Sequence, residues 1–403
     1  MERKKLAIVS SYHELCGNAT YTEVLKNEFT KYYDVDVMAL KVKWLGSSQK
    51  KLRKLAEEHI DDICEKIKNY DYVNIQFEAG LYGTHPNEIV RRVKKLIDAS
   101  KNLIFTMHRV DLCQSLLDKK ILRGFLSISF FKNLKRWRQQ NYFPRIYKKL
   151  VEYMKRESVK KNIQIIVHSH RDYETIKYAF DFDNVHDFPL TFLNKNQREI
   201  YPKISNKKEF YKNYGIPENM TTIGLFGFIA DYKQHSTVIN AMKFLPENYI
   251  LLIFGSQHPM SIVPYETINP YIKILLKTIE KLELTKRVFF LGSLDDESFI
   301  KALYCCDFTV LPYIECNQGG SGIAALTIET KIKAIFSNNI SFSELKRYFP
   351  NCFESFDIGN YQELASKILG YRHDYTSNID KCLEIYNIEN NILLHKRLFE
   401  ETK

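Results

Sequence analysis

Short apolar runs alternate along the chain with stretches whose apolar positions fall three and four apart, a pattern that predicts strands interleaved with helices. In the first half, strands are predicted at 5–11, 35–40, 72–76, 102–108 and 163–169, and helices follow through Tyr21, Val24, Leu25 and Phe29, then at 52–67 and 89–97. The alternation restarts after a polar stretch at 194–206. Strands are predicted there at 222–228, 249–255, 288–292, 308–312 and 333–337, with helices at 236–244, 272–282, 299–303 and after Gly322. The last segment, 361–403, reads as helices broken near Asn378 and Asn387.

Strands that alternate with helices imply parallel sheets covered on both faces. At roughly 150 residues per domain, 403 residues predict two such units. The expected fold class is therefore α/β, with two doubly wound Rossmann-like domains, 1–195 and 207–385, facing a central cleft. The residues 386–403 are expected to form a helix packing back on the first domain. Ligands of such sheets bind beyond the carboxyl ends of the strands.

Composition narrows the class. Hydrophobic residues are 45% and charged residues 27%, with only 15 Gly and 11 Pro, which excludes collagen-like and disordered chains. No apolar stretch is long enough to span a bilayer or to act as a signal peptide, so a cytoplasmic protein is expected. The eight cysteines contain no C-x-x-C pair and are expected to be reduced. Of the formal net charge of +11, a net +10 falls in 115–160, which holds 13 Lys and Arg against Asp118, Glu152 and Glu157. Aromatics and aliphatics interleave with those cations. The segment suits an anionic membrane surface, which would place the protein at the inner face of the plasma membrane. It equally suits a solvated helical insert with a buried apolar stripe. No recognised nucleic-acid-binding motif accompanies it, so a nucleic-acid partner is not expected.

The densest chemical signal is at 311–326, where a strand runs into a loop with Glu315 and then Gln318, Gly319, Gly320, Ser321 and Gly322 before a helix. Glycines let main-chain N–H groups approach an anion, and a helix N-terminus adds about half a positive charge, an arrangement suited to a diphosphate. A second glycine turn, at Gly227, opens the later module, and Lys233 beyond it can neutralise phosphate as a point charge.

In these features the second half resembles the donor-binding domain of retaining GT-B glycosyltransferases of the large family four. The matching residues run from the Gly227 turn and Lys233 through Gly255, Arg287–Gly292, Cys306-Asp307, Val310–Tyr313, Glu315 and Gln318–Gly322 to Ser341–Leu345. In the first half, Cys16-Gly17-Asn18 resembles the family's glycine loop, while Asn74–Gly83 and Thr106-Met-His108 resemble its acceptor-side strand ends. The resemblance implies a nucleotide diphosphate sugar as substrate, with no cofactor and no metal. Gly17, Gly227, Lys233 and Gln318–Gly322 would hold the donor diphosphate, and Glu78 and His108 would face a glycan or lipid-linked acceptor. His108, Glu315 and Lys233 would act in catalysis of surface-glycan assembly.

The sequence departs from that family in two places. Phe228 and Ile229 stand where a basic residue is usual, and Thr327 stands where a ribose-binding Glu is usual, with Glu329 nearby as a substitute. Two other readings stay open: a catalytically inactive GT-B-shaped partner subunit, and a nucleotide-sugar epimerase, which would need no acceptor. His168, His170 and Asp172 would place two imidazoles on one strand face, and so near a metal, only if the strand persisted that far.

Overall fold

The computed structural model describes residues 3–14, 16–113, 137, 140–257, 268–315 and 318–401. The predicted insert at 115–160 therefore lies mostly outside the described residues; within it, Pro144–Glu157 is a helix. Among the described residues, no helix is long and apolar enough to cross a membrane.

The chain divides into two compact units, Met1–Phe188 with Glu389–Lys403, and Pro189–Ile388. In the first, six parallel strands are β1 (Lys5–Ser10), β2 (Asp34–Ala39), β3 (Tyr72–Phe77), β4 (Leu103–Met107), β5 (Ile163–Val167) and β6 (Val185–Asp187). Their order is β2-β1-β3-β4-β5-β6. In the second, β7 (Thr221–Phe226), β8 (Tyr249–Phe254), β9 (Val288–Gly292), β10 (Phe308–Leu311), β11 (Lys333–Ser337) and β12 (Glu354–Phe356) are ordered β12-β11-β10-β7-β8-β9. Strands β3, β4 and β5 are buried along their whole length, as parallel strands covered on both faces must be.

Each order reverses once. In the first unit the chain turns from β2 back across β1 to β3; in the second it runs outward from β7 to β9 and returns to β10 on the other side of β7. Such reversal points leave a crevice at the carboxyl ends of the two diverging strands. Asp307 fixes the opposite, amino end of the β7–β10 junction. Its carboxylate accepts from the Thr222 N–H (2.8 Å), the Thr222 hydroxyl (3.0 Å) and Lys207 Nζ (2.6 Å).

Three features differ from the pattern read along the sequence. The short edge strands β6 and β12 carry no apolar run that would mark them. The polar stretch at 194–206 is no extended connection: Lys195–Ile204 is a helix with a capping box between Asn194 and Gln197, and Asn206 caps the next helix, Lys207–Asn213. The first late break lies at 370–375, after Gly370 ends the Tyr361–Leu369 helix, so Asn378 sits inside the helix Thr376–Ile385.

The terminal helix, Ile388–Glu400, is fastened within the first unit by buried polar contacts. Asn391 Nδ2 donates to the Tyr21 hydroxyl (2.9 Å), Asn162 Nδ2 donates to the Leu398 carbonyl (2.7 Å), and Phe399 stacks on Tyr72 with ring centroids 4.7 Å apart. His395 lies on the same helix and His168 directly after β5, and burial pushes each imidazole down to about 4. An unfolded imidazole titrates near 6.5, so between those values the unfolded chain binds more protons than the folded one. Stability from these groups is complete above about 6.5 and is lost as the pH falls toward 4. Lowering the pH from 7 to 5 should thus cost the unit about 2 kcal/mol for each of the two imidazoles. Both tryptophans, Trp44 and Trp137, lie in this unit, so urea unfolding followed by tryptophan fluorescence at the two pH values measures it; equal midpoints would refute the assignment.

Candidate functional site

In the second unit the reversal point is bordered by the segments that leave the carboxyl ends of β7 and β10. Strands β7 and β8 continue to pair past their ends: the Gly227 N–H donates to the Phe254 carbonyl and the Ile229 N–H to that of Ser256, both at 2.8 Å. This approach requires glycine. A Cβ on Gly255 would lie 2.0 Å from the Gly227 carbonyl oxygen, and Gly227 itself has φ +91°.

Lys233 ends the one-turn 3₁₀ helix Asp231–Lys233 and is buried, its Nζ donating to the Phe226 carbonyl at 3.3 Å. A Cβ on Gly227 would come within 2.5 Å of both Lys233 Nζ and Ile323 Cδ1, so the ammonium and the start of the Gly322–Glu329 helix both lie against that glycine. Nζ also stands 5.4 Å from the centre of the Tyr313 ring. His235 adds no charge here. Burial and then the Lys233 ammonium push its pKa down to about 3, so the ring is neutral at physiological pH.

The loop after β10 is tied to this turn and to the next helix. The Ile314 N–H donates to the Tyr232 carbonyl at 2.9 Å. Glu315, exposed, accepts the Ile340 N–H at 3.0 and 3.2 Å and so caps the helix Ile340–Tyr348. The Gln318 carbonyl accepts the Ser341 hydroxyl at 2.6 Å. Gly319 and Gly320 come next, and Ser321 is the N-cap of the Gly322–Glu329 helix, its hydroxyl accepting the Ala324 N–H. Gly322 packs against the Phe192 ring, which a Cβ would approach to 3.1 Å.

Neither Thr327 nor Glu329 is turned toward a ligand. Both are buried; the Thr327 hydroxyl donates to the Ile323 carbonyl at 2.7 Å. The Glu329 carboxylate accepts the N–H groups of Phe192 (3.0 and 3.1 Å) and Leu193 (3.2 Å). Its partners lie 137 and 136 positions earlier, so no local sequence signal could have assigned it this role.

In the first unit, Gly17 starts the helix Gly17–Phe29 and is exposed with open space around it. Glu78 and His108 come directly after β3 and β4. Burial raises the Glu78 pKa above the usual carboxylate range, against the opposing pull of Arg109. His108 Nε2 lies 2.8 Å from Gln76 Oε1, and its ring centroid is 4.9 Å from that of His168 and 5.8 Å from that of Tyr21. Burial, and secondarily His168, hold the His108 imidazole well below its ordinary value. His168 and His170 do not share a strand face: β5 ends at Val167, Ser169 caps the next helix, and His170 begins it. His168 Nδ1 instead faces the Phe188 carbonyl (3.0 Å), and His170 Nδ1 faces Asp187 (3.2 Å). The partner of His108, Gln76, was missed along the sequence although its polarity inside a buried strand was visible there.

No protein-family model and no curated protein matches the sequence. Solved structures do share the fold across the whole chain. HepE of Anabaena, in complex with UDP and glucose, superposes with a TM-score of 0.65 at 14% identity, covering 99% of this chain and 100% of its own. Sucrose-phosphate synthase of Thermosynechococcus elongatus gives 0.64 at 13% identity over 98% of both chains. WaaG, a glycosyltransferase involved in lipopolysaccharide biosynthesis, gives 0.53 at 13% identity over 96% of this chain and 95% of its own. With the two parallel sheets, these similarities establish a two-domain α/β fold of the GT-B type.

The Glu329 assignment carries a direct consequence. Glu329→Ala leaves two buried N–H groups unsatisfied and should destabilise the second unit by about 2–5 kcal/mol, whereas Thr327→Val should cost under about 1.5 kcal/mol. Thermal unfolding of the two variants beside the parent measures both, and an unchanged melting temperature for Glu329→Ala would overturn the assignment.

Proposed function

We propose that the protein is a glycosyltransferase that moves a sugar from a nucleoside diphosphate sugar to a saccharide or lipid-linked saccharide acceptor. The observation that carries this reading is the meeting at Gly227 of Lys233 Nζ and the side chain of Ile323, in the first turn of the Gly322–Glu329 helix, at the reversal point of the second sheet. A buried ammonium beside glycine-lined N–H groups is a place for a diphosphate. In transfer, the bond between the anomeric carbon and the diphosphate oxygen breaks while the acceptor oxygen bonds to that carbon, and the proton lost by the acceptor hydroxyl passes to the departing diphosphate. The leaving diphosphate gains negative charge, and Lys233 with the N–H groups of 319–322 would stabilise it as it forms.

The retaining course and independence from a metal belong to the same proposal, with Lys233 and the loop supplying the positive charge. Glu315 would orient the donor sugar, and His108 and Glu78 would face the acceptor. The complexes of Anabaena HepE with UDP and with UDP-glucose support a UDP-sugar donor, and the involvement of WaaG in lipopolysaccharide biosynthesis supports a surface-glycan acceptor. The basic segment 115–160 would bring the protein to an anionic membrane surface carrying such an acceptor.

One observation favours a second reading, a catalytically inactive GT-B-shaped partner subunit. With Thr327 buried and the Glu329 carboxylate engaged by main-chain N–H groups, neither supplies the carboxylate that a ribose would be expected to meet.

Melting temperatures with UDP, GDP, dTDP, CDP and ADP in turn test both. A nucleotide at 100 times its dissociation constant adds about 2.7 kcal/mol, enough to raise melting by several degrees. We expect UDP to stabilise the parent and not Lys233→Ala, and that variant to lose transfer while keeping its own melting temperature. Stabilisation by no nucleotide, or full activity of Lys233→Ala, would overturn the proposal; UDP binding without turnover of UDP-sugars would favour the second reading.

A further inference from the structure

Two polar residues stand where the first sheet would be expected to be apolar. Asn74 and Gln76 lie in the middle of β3, fully buried, on the face opposite Val73, Ile75 and Phe77. Their hydrogen bonds can run in only one direction. The Ile104 carbonyl can only accept, so Asn74 must present Nδ2 to it (3.4 Å), and the same Nδ2 reaches Thr106 Oγ1 at 3.2 Å. That leaves Asn74 Oδ1 to accept from Gln76 Nε2. Gln76 Oε1 is then the atom 2.8 Å from His108 Nε2. An amide oxygen cannot donate, so Nε2 of His108 carries the hydrogen and Nδ1 the lone pair.

The chain builds this relay twice. Asn162 Nδ2 is anchored on the Leu398 carbonyl, Asn162 Oδ1 accepts Gln164 Nε2 at 3.0 Å, and Gln164 Oε1 lies 3.1 Å from His186 Nε2. Both relays use the same three residues, Asn-Ile-Gln, at 74–76 and 162–164. In each, two side chains two positions apart, on β3 or at the start of β5, link a main-chain carbonyl to an imidazole. An amide at that end orients the ring without adding charge, whereas a carboxylate there would raise its pKa.

The neighbouring imidazole is set the opposite way. His168 Nδ1 donates to the Phe188 carbonyl, so its lone pair is on Nε2, which is buried with no hydrogen-bond partner among the described residues. His108, by contrast, is partly exposed at the carboxyl end of β4. A neutral ring there can accept a proton or a hydrogen bond only through the nitrogen that lacks hydrogen.

We propose that Gln76 is a positioning residue that holds His108 as the Nε2–H tautomer, so that His108 Nδ1 accepts the hydrogen bond of the acceptor hydroxyl. This role rests on the glycosyl transfer proposed for the protein, in which His108 faces the acceptor.

The test begins with full-length protein labelled with nitrogen-15 at histidine. Long-range proton–nitrogen NMR, with His108 signals assigned by their loss in His108→Gln, should show the single Nε2–H tautomer. In Gln76→Leu those signals should become a mixture of tautomers, and kcat for transfer should fall at least tenfold while the Kd for UDP stays within twofold. Gln76→Glu, which keeps an acceptor beside Nε2, should restore one tautomer and move the acid limb of the pH–rate profile upward. Gln164→Leu removes the equivalent bond to His186 and serves as the structural control; it should leave the His108 signals and kcat unchanged. A parent His108 protonated on Nδ1, a tautomer indifferent to Gln76→Leu, or an equal loss of kcat in Gln164→Leu would overturn the inference. Should Gln76→Leu fail to fold, the parent tautomer and the pH profile of Gln76→Glu still decide. Failure of the parent to bind any nucleoside diphosphate would instead overturn the transferase reading, and the tautomer measurement, needing no substrate, separates the two.

Discussion

The close passage of Gly255 over the Gly227 carbonyl is the contact on which the carboxyl edge of the second unit depends. Because no Cβ intervenes, β7 and β8 stay paired beyond their formal ends, and the chain leaves Gly227 in a conformation that side chains rarely adopt. That departure lays Lys233 against Gly227, and the turn holding Lys233 accepts the Ile314 N–H through the Tyr232 carbonyl. From there the order passes along the loop: Glu315 caps one helix, the carbonyl of Gln318 takes a hydroxyl from the same helix start, and Ser321 caps the next. A single steric permission at two glycines thus brings a cation and the Ile323 side chain of the following helix against the same residue.

Several carboxylate and amide side chains in this protein act on the main chain. Asp307, Glu315 and Glu329 all direct carboxylate oxygens at backbone N–H groups, and Asn74 and Asn162 begin their relays on backbone carbonyls. Glu329, the buried one of the three, is satisfied by these N–H groups and so carries no unpaired charge into the interior. The buried amides solve a related problem in the first unit. They fix the hydrogen of an imidazole through neutral groups, where a carboxylate would have fixed it at the expense of the ring's low pKa.

How much of this could be read along the chain depends on the range of each interaction. Strands β9 and β11 were legible to the residue because an apolar run bounded by polar or glycine positions is a local signal. Edge strands β6 and β12 were not, since three residues paired on one side need no apolar run. The stretch at 194–206 misled because Asn, Gln and Ser signify both loops and helix caps, and the capping box there is recognised only when Asn194 is paired with Gln197. In the candidate site, the Gly227 turn, Lys233 and the Gln318–Gly322 loop were all visible as motifs, because glycine is demanded by local geometry. Glu329 was not, because whether a helical carboxylate meets a ligand or a distant N–H is decided by residues more than a hundred positions away.

The engaged Glu329 also changes what the proposed donor site could recognise. If the ribose meets no carboxylate from Thr327 or Glu329, binding of a nucleoside diphosphate would rest chiefly on the diphosphate, through Lys233 and the 319–322 N–H groups. Those contacts strengthen as charge develops on the leaving group, whereas a ribose contact is the same before and during the reaction. Losing an interaction that is uniform between ground and transition state raises KM and leaves kcat unchanged. On this argument the departure from the family pattern at Thr327 weakens the hold on the nucleotide without removing the groups that would carry the transfer. Loss of catalysis would require more than that one missing carboxylate.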